Sequence, residues 1–204
     1  MADSSGTLAR LLDALRRGDP AAQAEVLARY QPWLRILARL QLDRRFQGKF
    51  GASDVVQLTL LEAYRAFPQF RGTTEAELTA WLRQVLARVL AHEMRRYQGT
   101  QQRDVGREVS LEQALAESSQ RLGDMLAASG SSPSQQAARH EQDVLLAEVL
   151  ARLPDDYREV IVLRNLEGLS HEEVARRMGR NPGAVRMLWV RALARLRQEL
   201  GDLG

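Results

Sequence analysis

The chain has 204 residues, of which 45% are apolar, and its formal net charge is +3. It contains no cysteine, which excludes a disulfide framework and a thiolate metal site, and no apolar run approaches the roughly 18 residues that a membrane helix needs. The amino terminus lacks the charged-then-apolar order of a signal peptide. Together these features predict a soluble cytoplasmic protein.

Helical periodicity and capping residues predict two helices at the start of the chain. The first, Thr7–Arg17, ends at Gly18. The second is capped by Asp19, which precedes a proline at the first helical position, and extends to Leu40.

The third predicted helix, Asp54–Phe67, is bounded by Ser53 as its N-cap and by Pro68, whose ring cannot continue a helix. Its predicted buried face consists of Val55, Leu58, Leu61 and, at the margin, Tyr64. The loop Gln69–Thr74 then leads to a fourth helix over Glu75–Tyr97.

Composition changes after the fourth helix, where Ser, Gln and Gly clusters replace sustained periodicity. We interpret residues 99–141 as a flexible linker with one short helix at Leu111–Glu117. A free tether of ~40 residues spans roughly 35 Å on average. The predicted organisation is therefore all-α, with two small helical domains, residues 7–98 and 142–200, joined by a flexible linker.

The second domain ends in a predicted helix-turn-helix over Leu169–Leu200. Ser170 and Glu173 form a capping box, Gly179 ends the first helix, and Asn181 begins the second, longer helix. The outer face of that helix carries Arg186, Met187, Arg191 and Arg197. In this motif the second helix enters the DNA major groove, whereas an ordinary helical hairpin with a solvated arginine face is the alternative.

Charge is concentrated in two places. Val174–Gln198 contains seven arginines and no acidic residue, and Pro20–Arg103 contains 13 basic and 7 acidic residues. Two electropositive regions on one chain suggest that one polyanion is contacted twice. This distribution favours DNA binding over the hairpin alternative.

Four stretches, taken together and in this order, resemble those of bacterial RNA polymerase sigma factors of the extracytoplasmic-function type, within the sigma-70 superfamily. These stretches are Asp54–Gly72, Ala80–Tyr97, Leu150–Ala175 and Gly179–Arg197. They cover both predicted domains and about half of the chain. The resemblance implies a factor that binds core RNA polymerase, directs promoter-specific initiation and helps to melt promoter DNA.

The resemblance also implies roles for individual residues. Asp54, Gln57 and Glu62 become candidates for polymerase contact, with a solvated polar face as the alternative. The loop at Phe70 and Arg71 resembles one that captures a flipped base of the minus-ten strand, although Phe70 is also a candidate core residue. The remaining DNA-binding candidates are Arg83, Arg88, Arg95 and Arg96 in the first domain, and Arg180, Asn181, Gly183, Ala184, Arg186, Met187 and Arg191 in the second.

Near these candidates, we expect Trp81, Leu82 and Trp189 to lie in the core. Arg186 is the best candidate for bidentate recognition of a guanine in the minus-thirty-five element.

The implied partners are core RNA polymerase and promoter DNA, as a duplex upstream element and a single-stranded minus-ten strand. An anti-sigma protein is a further candidate partner. We expect no cofactor, metal or catalytic constellation, because the three histidines are far apart in sequence and no nucleophile–base signature is present. The competing hypotheses are a stand-alone helix-turn-helix regulator and a DNA enzyme, such as a site-specific recombinase, with a helix-turn-helix tail.

Overall fold

The structure, a computed structural model, describes residues 10–42, 51–98, 105–127 and 139–201. Every regular element within these ranges is helical, which confirms the predicted all-α class. None of these helices is long and apolar enough to cross a lipid bilayer. In chain order they are α1 (residues 10–16), α2 (Pro20–Gln41), α3 (Ala52–Ala66), α4 (Glu75–Gln98), α5 (Val105–Ala127), α6 (Arg139–Arg152), α7 (Asp155–Ile161), α8 (His171–Met178) and α9 (Pro182–Gly201).

Local capping signals determine several of the helix ends, as predicted. Gly18 has a φ of 76°, a conformation that favours glycine, and so separates α1 from α2. The Asp19 carboxylate accepts the Ala21 N–H at 2.9 Å and thereby caps α2. A turn of 3-10 helix, Phe67–Gln69, extends α3, and a π-helical turn, Val162–Leu166, extends α7.

The start of α3 differs from the prediction. Gly51, not Ser53, is the N-cap residue, and the Asp54 carboxylate accepts the Gly51 N–H at 2.9 Å. The prediction of Ser53 as the cap was therefore wrong. An acidic side chain in the first turn satisfies a free backbone donor and also interacts favourably with the helix dipole.

The buried face of α3 also differs from the prediction. Its buried residues are Val55, Val56, Thr59 and Ala63, whereas Leu58, Leu61 and Tyr64 are 38%, 45% and 44% exposed. The buried residues Val55, Thr59 and Ala63 recur every four positions. The prediction followed the apolar residues that recur every three positions, and it was wrong for Leu58, Leu61 and Tyr64. Small side chains at Thr59 and Ala63 suit close packing against α2 and α4, and the Thr59 hydroxyl donates to the Val55 carbonyl at 2.8 Å.

Helix α5 is the largest departure from the predicted linker. It has 23 residues, whereas the sequence predicted a short helix at Leu111–Glu117, and at 1.5 Å per residue it is about 34 Å long. Leu115 and Leu122 are fully buried against the neighbouring helices. Residues 139–141 of the predicted linker belong to α6, and its residues 99–104 and 128–138 lie outside the described residues.

One apolar core runs through both halves of the chain. Helices α2, α3 and α4 pack together, α5 packs on α4, and α6 packs on both α2 and α5. Arg39 of α2 also donates to the Glu159 carboxylate of α7 at 2.6 Å. The sequence left the placement of the two halves open, and in the structure they are packed against each other.

Candidate nucleic-acid interface

The loop between α3 and α4 is built around three aromatic rings. The ring centroids of Phe67 and Phe70 lie 5.1 Å and 5.0 Å from that of Trp81, with tilted planes. Phe70 is only 9% exposed, and Trp81 is half-buried. The aromatic face of Phe70 is therefore packed against protein in this structure. This packing agrees with the alternative expectation that Phe70 is a core residue.

Gly72 lets the Phe70 ring lie directly over the loop backbone. A Cβ atom at residue 72 would stand 2.3 Å from Phe70 Cζ and 2.6 Å from Phe70 Cε2. No side chain larger than a hydrogen atom fits there without moving the ring. The packing of Phe70 thus explains why the residue after Arg71 is glycine.

Hydrogen bonds at the start of α4 hold the other side of the same loop. The Glu77 carboxylate accepts the Thr73 and Thr74 N–H groups at 2.7 and 3.0 Å, and the Thr74 hydroxyl accepts the Glu77 N–H at 3.2 Å. The Thr73 backbone bond, with those from Thr74, holds the pKa of Glu77 below its ordinary value. Arg71 is exposed and donates to the Pro68 carbonyl at 2.8 Å.

The four predicted DNA-contacting arginines of α4 differ in exposure: two are exposed and two are covered by other helices. Arg88 and Arg96 are exposed. Arg95 donates to Glu108 of α5 at 3.3 Å, and each of these side chains is only 14% exposed. The structure therefore leaves Arg88 and Arg96 exposed and covers Arg95 with α5.

Arg83 is the second covered arginine. Its side chain is half-buried, and burial lowers its pKa, while the carboxylates of Asp143 and Glu112 act in the opposite direction. Guanidinium groups stay charged under such conditions, so these carboxylates offset the cost of burying the cation. The carboxylates come from α5 and α6, which the sequence predicted as linker and second domain.

A groove of about 670 Å³ lies between α3 and α4, with one edge formed by α5. Its charged or apolar lining includes Leu58, Glu62, Arg88, Arg95, Arg96 and Glu108. The structure thus brings Glu62, a predicted polymerase contact, next to three predicted DNA contacts. Asp54 and Gln57 lie on the exposed surface of the same helix, α3.

The exposed apolar residues of α3 were missed as functional candidates. Leu58, Leu61 and Tyr64 lie on the exposed side of α3, and Leu58 lines the same groove as Glu62, whereas the sequence predicted the two leucines and, at the margin, Tyr64 in the core. The sequence did contain a signal for the correct buried side of α3, the small residues Thr59 and Ala63, because small side chains allow neighbouring helices to pack closely.

The helix-turn-helix forms as predicted. Ser170 accepts the Glu173 N–H at 3.2 Å, and Glu173 accepts the Ser170 N–H at 2.8 Å, so the capping box of α8 is complete. The backbone bond from Ser170, reinforced by its hydroxyl, lowers the pKa of Glu173. Gly179 ends α8 with a φ of 64°, and Asn181 caps α9 by accepting the Ala184 N–H at 2.7 Å.

Helix α9 divides into a core face and an exposed face. Val185, Ala192 and Leu196 are buried. Trp189 is half-buried, and its indole N–H donates to the Asn165 side chain at 2.9 Å. All the predicted DNA-binding residues of this unit are exposed: Arg180, Asn181, Gly183, Ala184, Arg186, Met187 and Arg191.

Two of these exposed arginines already have acidic neighbours. Arg186 donates to Glu172 of α8 at 3.0 Å, and Arg180 pairs with Asp156 of α7. Both pairs are open to solvent, where such ion pairs contribute little to stability. The arginines can therefore exchange these carboxylates for phosphates or base edges at small cost. Within the described ranges, no three His, Cys, Asp or Glu side chains are grouped as metal ligands would be.

Two family models match the chain. The model for sigma-70 region 2 matches residues 26–100, and that for sigma-70 region 4 matches residues 143–196. The first range includes the aromatic loop and the arginines of α4, and the second includes the helix-turn-helix.

Several proteins are similar to the chain over almost its whole length. The "ECF RNA polymerase sigma factor SigD" of Mycobacterium tuberculosis is 30% identical over 187 residues, which cover 92% of this chain and 81% of that protein. The "ECF RNA polymerase sigma-E factor" of Haemophilus influenzae is 28% identical over 195 residues, 95% of each chain. A solved structure of CnrH in complex with the cytosolic domain of CnrY has 23% identity and a TM-score of 0.32, covering 95% of this chain and 97% of that one.

Proposed function

The chain belongs to the extracytoplasmic-function group of the sigma-70 family, and from this membership we propose which of its surfaces carries each part of the work. It is a sigma factor that directs promoter-specific transcription initiation by RNA polymerase. Sigma factors as a family are not catalysts, so bond formation belongs to the polymerase. We expect this chain to act in the cytoplasm, where the polymerase and promoters are.

We assign polymerase binding to the exposed surface of α3. This surface combines Gln57 and Glu62 with the apolar side chains of Leu58, Leu61 and Tyr64. Exposed apolar groups ringed by polar ones are typical of protein–protein contact. Asp54, which caps α3, would act mainly by keeping the helix start ordered.

We assign minus-ten binding to the aromatic loop and to α4. Arg71 is the exposed cation of the loop, so it is placed to reach an unstacked base or its phosphate, whereas Phe70 shapes the loop through its contact with Trp81. Arg88 and Arg96 are exposed and can contact phosphates, which orient a protein on DNA without reading its sequence; Arg96 also lies 3.7 Å from the Glu93 carboxylate. The polymerase-facing and DNA-facing residues border the same groove, which supports their use in one complex.

The proposal requires α5 to shift when promoter DNA binds. In the packed arrangement, Arg95 and Arg83 face carboxylates of α5 and α6 instead of DNA. For these two arginines to reach phosphates, Glu108 and Glu112 of α5 and Asp143 of α6 must move away from them. The free protein and the DNA-bound protein would therefore differ in how α5 and α6 pack on α4.

We assign minus-thirty-five binding to α9, with Arg186 as the candidate for guanine recognition and Arg180, Asn181 and Arg191 as its neighbours. The observation that carries this assignment is the exposure of one basic face on a helix whose opposite face is buried in the core. An anti-sigma protein would act at these same surfaces, because a regulator that blocks a sigma factor must cover its polymerase-binding or promoter-binding face.

The test combines the purified full chain with core polymerase on a library of genomic promoters and scores transcript starts. We expect the chain to bind polymerase and to produce starts that polymerase alone does not produce. Absence of polymerase binding or of new starts would contradict the sigma mechanism. Tight sequence-specific DNA binding without polymerase would instead favour a stand-alone regulator.

A further inference from the structure

The exposed face of α9 is mainly apolar along its centre. Gly183, Met187, Val190 and Ala194 follow one another at intervals of four, three and four residues, which places them in one strip along the helix. All four are exposed, and Met187 and Val190 are 56% and 53% exposed. We call these four residues the apolar strip. It lies opposite the face buried in the core.

Arginines border the apolar strip on both sides. At 100° per residue, Arg186 and Arg197 lie along one edge, and Arg191 and Arg195 lie along the other. All four are exposed, and the acidic residue of the helix itself, Glu199, pairs with Arg195 at its far end. A strip of apolar groups between two rows of cations matches the major groove, in which two phosphate backbones flank the base edges.

The floor of the major groove offers one apolar group to such a strip, the C5-methyl of thymine. Backbone phosphates pair with arginine but do not distinguish bases, and the other base edges present hydrogen-bond donors and acceptors that Met and Val cannot satisfy. An apolar strip in this position therefore discriminates by methyl contact.

We propose that Met187, assisted by Val190, recognises thymine methyl groups in the upstream promoter element, so that this element contains thymine where these side chains lie. The inference rests on the proposed minus-thirty-five role of α9 and specifies its sequence preference. Arg186 would then recognise guanine at a separate position. Some bases of the element would be read by hydrogen bonds and others by methyl contact.

The test uses the holoenzyme, made from the full chain and core polymerase, on a promoter that it uses. Each thymine of the upstream element is replaced in turn by deoxyuridine, which lacks only the methyl group. For one or two thymines we expect binding to weaken about fourfold, the factor that corresponds to about 0.8 kcal/mol for one buried methyl-sized group.

The decisive comparison is between variants. Met187→Gln keeps the length of the side chain and a high helix propensity but replaces the apolar end with a polar amide. An unchanged thermal midpoint would show that the fold is intact. This variant should bind thymine DNA about fourfold more weakly and should no longer respond to deoxyuridine. Arg186→Ala should keep the response to deoxyuridine, since it removes a different contact.

Two outcomes would overturn the inference while leaving the sigma function standing. One is a holoenzyme that initiates at the promoter but responds to no deoxyuridine in the upstream element. The other is a Met187→Gln holoenzyme that responds as strongly as the wild type, which would also be expected if the strip docks a protein and not DNA. Failure of the wild type to initiate at any promoter would overturn the proposed function and the inference together.

Discussion

Arg95 of α4 and Glu108 of α5 form an ion pair at 3.3 Å, and each side chain is only 14% exposed. Arg95 was a candidate for DNA contact from sequence alone, and Glu108 belongs to a segment predicted as linker. Because the pair joins the two elements, it links the position of α5 to the availability of an arginine for DNA.

Glu108→Gln tests this link. Removal of the carboxylate leaves the Arg95 cation without this partner in a half-buried site, at a cost of about 1–2 kcal/mol, between the values for exposed and buried pairs. We expect hydrogen exchange in α5 to become about 5- to 30-fold faster and DNA binding by the free chain to strengthen. Glu117→Gln, at an exposed position of the same helix, is the control. Unchanged exchange in Glu108→Gln would show that the pair does not hold α5.

Gly72→Ala tests the packing of the aromatic loop. The added Cβ would stand 2.3 Å from Phe70 Cζ, so the ring must leave its place beside Trp81, with a loss of about 1–3 kcal/mol in unfolding free energy. Denaturant unfolding and tryptophan fluorescence both report this change. Gly201→Ala, at a site with open space around the new Cβ, should leave both nearly unchanged. Equal stability of the two variants would contradict the observed packing.

Glu173→Gln tests the pH dependence of the helix-turn-helix. Hydrogen bonds in the cap lower the pKa of Glu173 in the folded protein, so the unfolded chain takes up the proton first as pH falls. The stabilisation is therefore present above the unfolded value near 4.5 and is lost as pH falls through the folded one. Glutamine keeps a capping oxygen but does not titrate.

We expect Glu173→Gln to lower the thermal midpoint at pH 7, because the neutral amide lacks the stabilised carboxylate, and to flatten the decline below about pH 4.5, so that the two midpoints converge in acid. Thermal unfolding followed between pH 3 and pH 7 measures both quantities. Glu25→Gln, at an exposed position of α2, serves as a comparison. An acid decline as steep as that of the wild type would rule out this contribution from the cap.

Leu61→Asn tests the polymerase-binding surface of α3. Since Leu61 is 45% exposed, the stability of the free chain should change by about 0.5 kcal/mol or less. Binding to core polymerase should weaken about tenfold, as expected for loss of one well-buried apolar contact of about 1.4 kcal/mol. Val109→Asn, at an exposed valine of α5, should bind polymerase like the wild type. If Leu61→Asn also does so, α3 is not the contact surface.

Arg186→Ala tests base recognition by α9. The change also removes the exposed pair with Glu172, which should cost little stability. We expect preference at one minus-thirty-five position to relax by about 1–3 kcal/mol, measured by binding of the holoenzyme to promoters that differ only there. An equal loss on every promoter would show that Arg186 contacts phosphate alone.

The sequence by itself determined the features that depend on a few neighbouring residues. The caps at Asp19, Ser170 and Asn181 and the glycine turn at Gly179 formed as predicted, because each is satisfied within one helical turn. The exposed arginine face of α9 followed for the same reason, since helical spacing alone separates it from the apolar face. These local features were sufficient to indicate two helical units and a DNA-binding motif.

Only the tertiary structure decided which surfaces are free. The exposure of Leu58, Leu61 and Tyr64 depends on how α2 and α4 pack against α3, and small side chains on the opposite side allow the closer approach. The covering of Arg95 and Arg83 depends on carboxylates that lie 13 or more residues away along the chain. Such contacts cannot be inferred from local periodicity, because periodicity identifies a helix and its apolar stripe but not the neighbour that will pack on it.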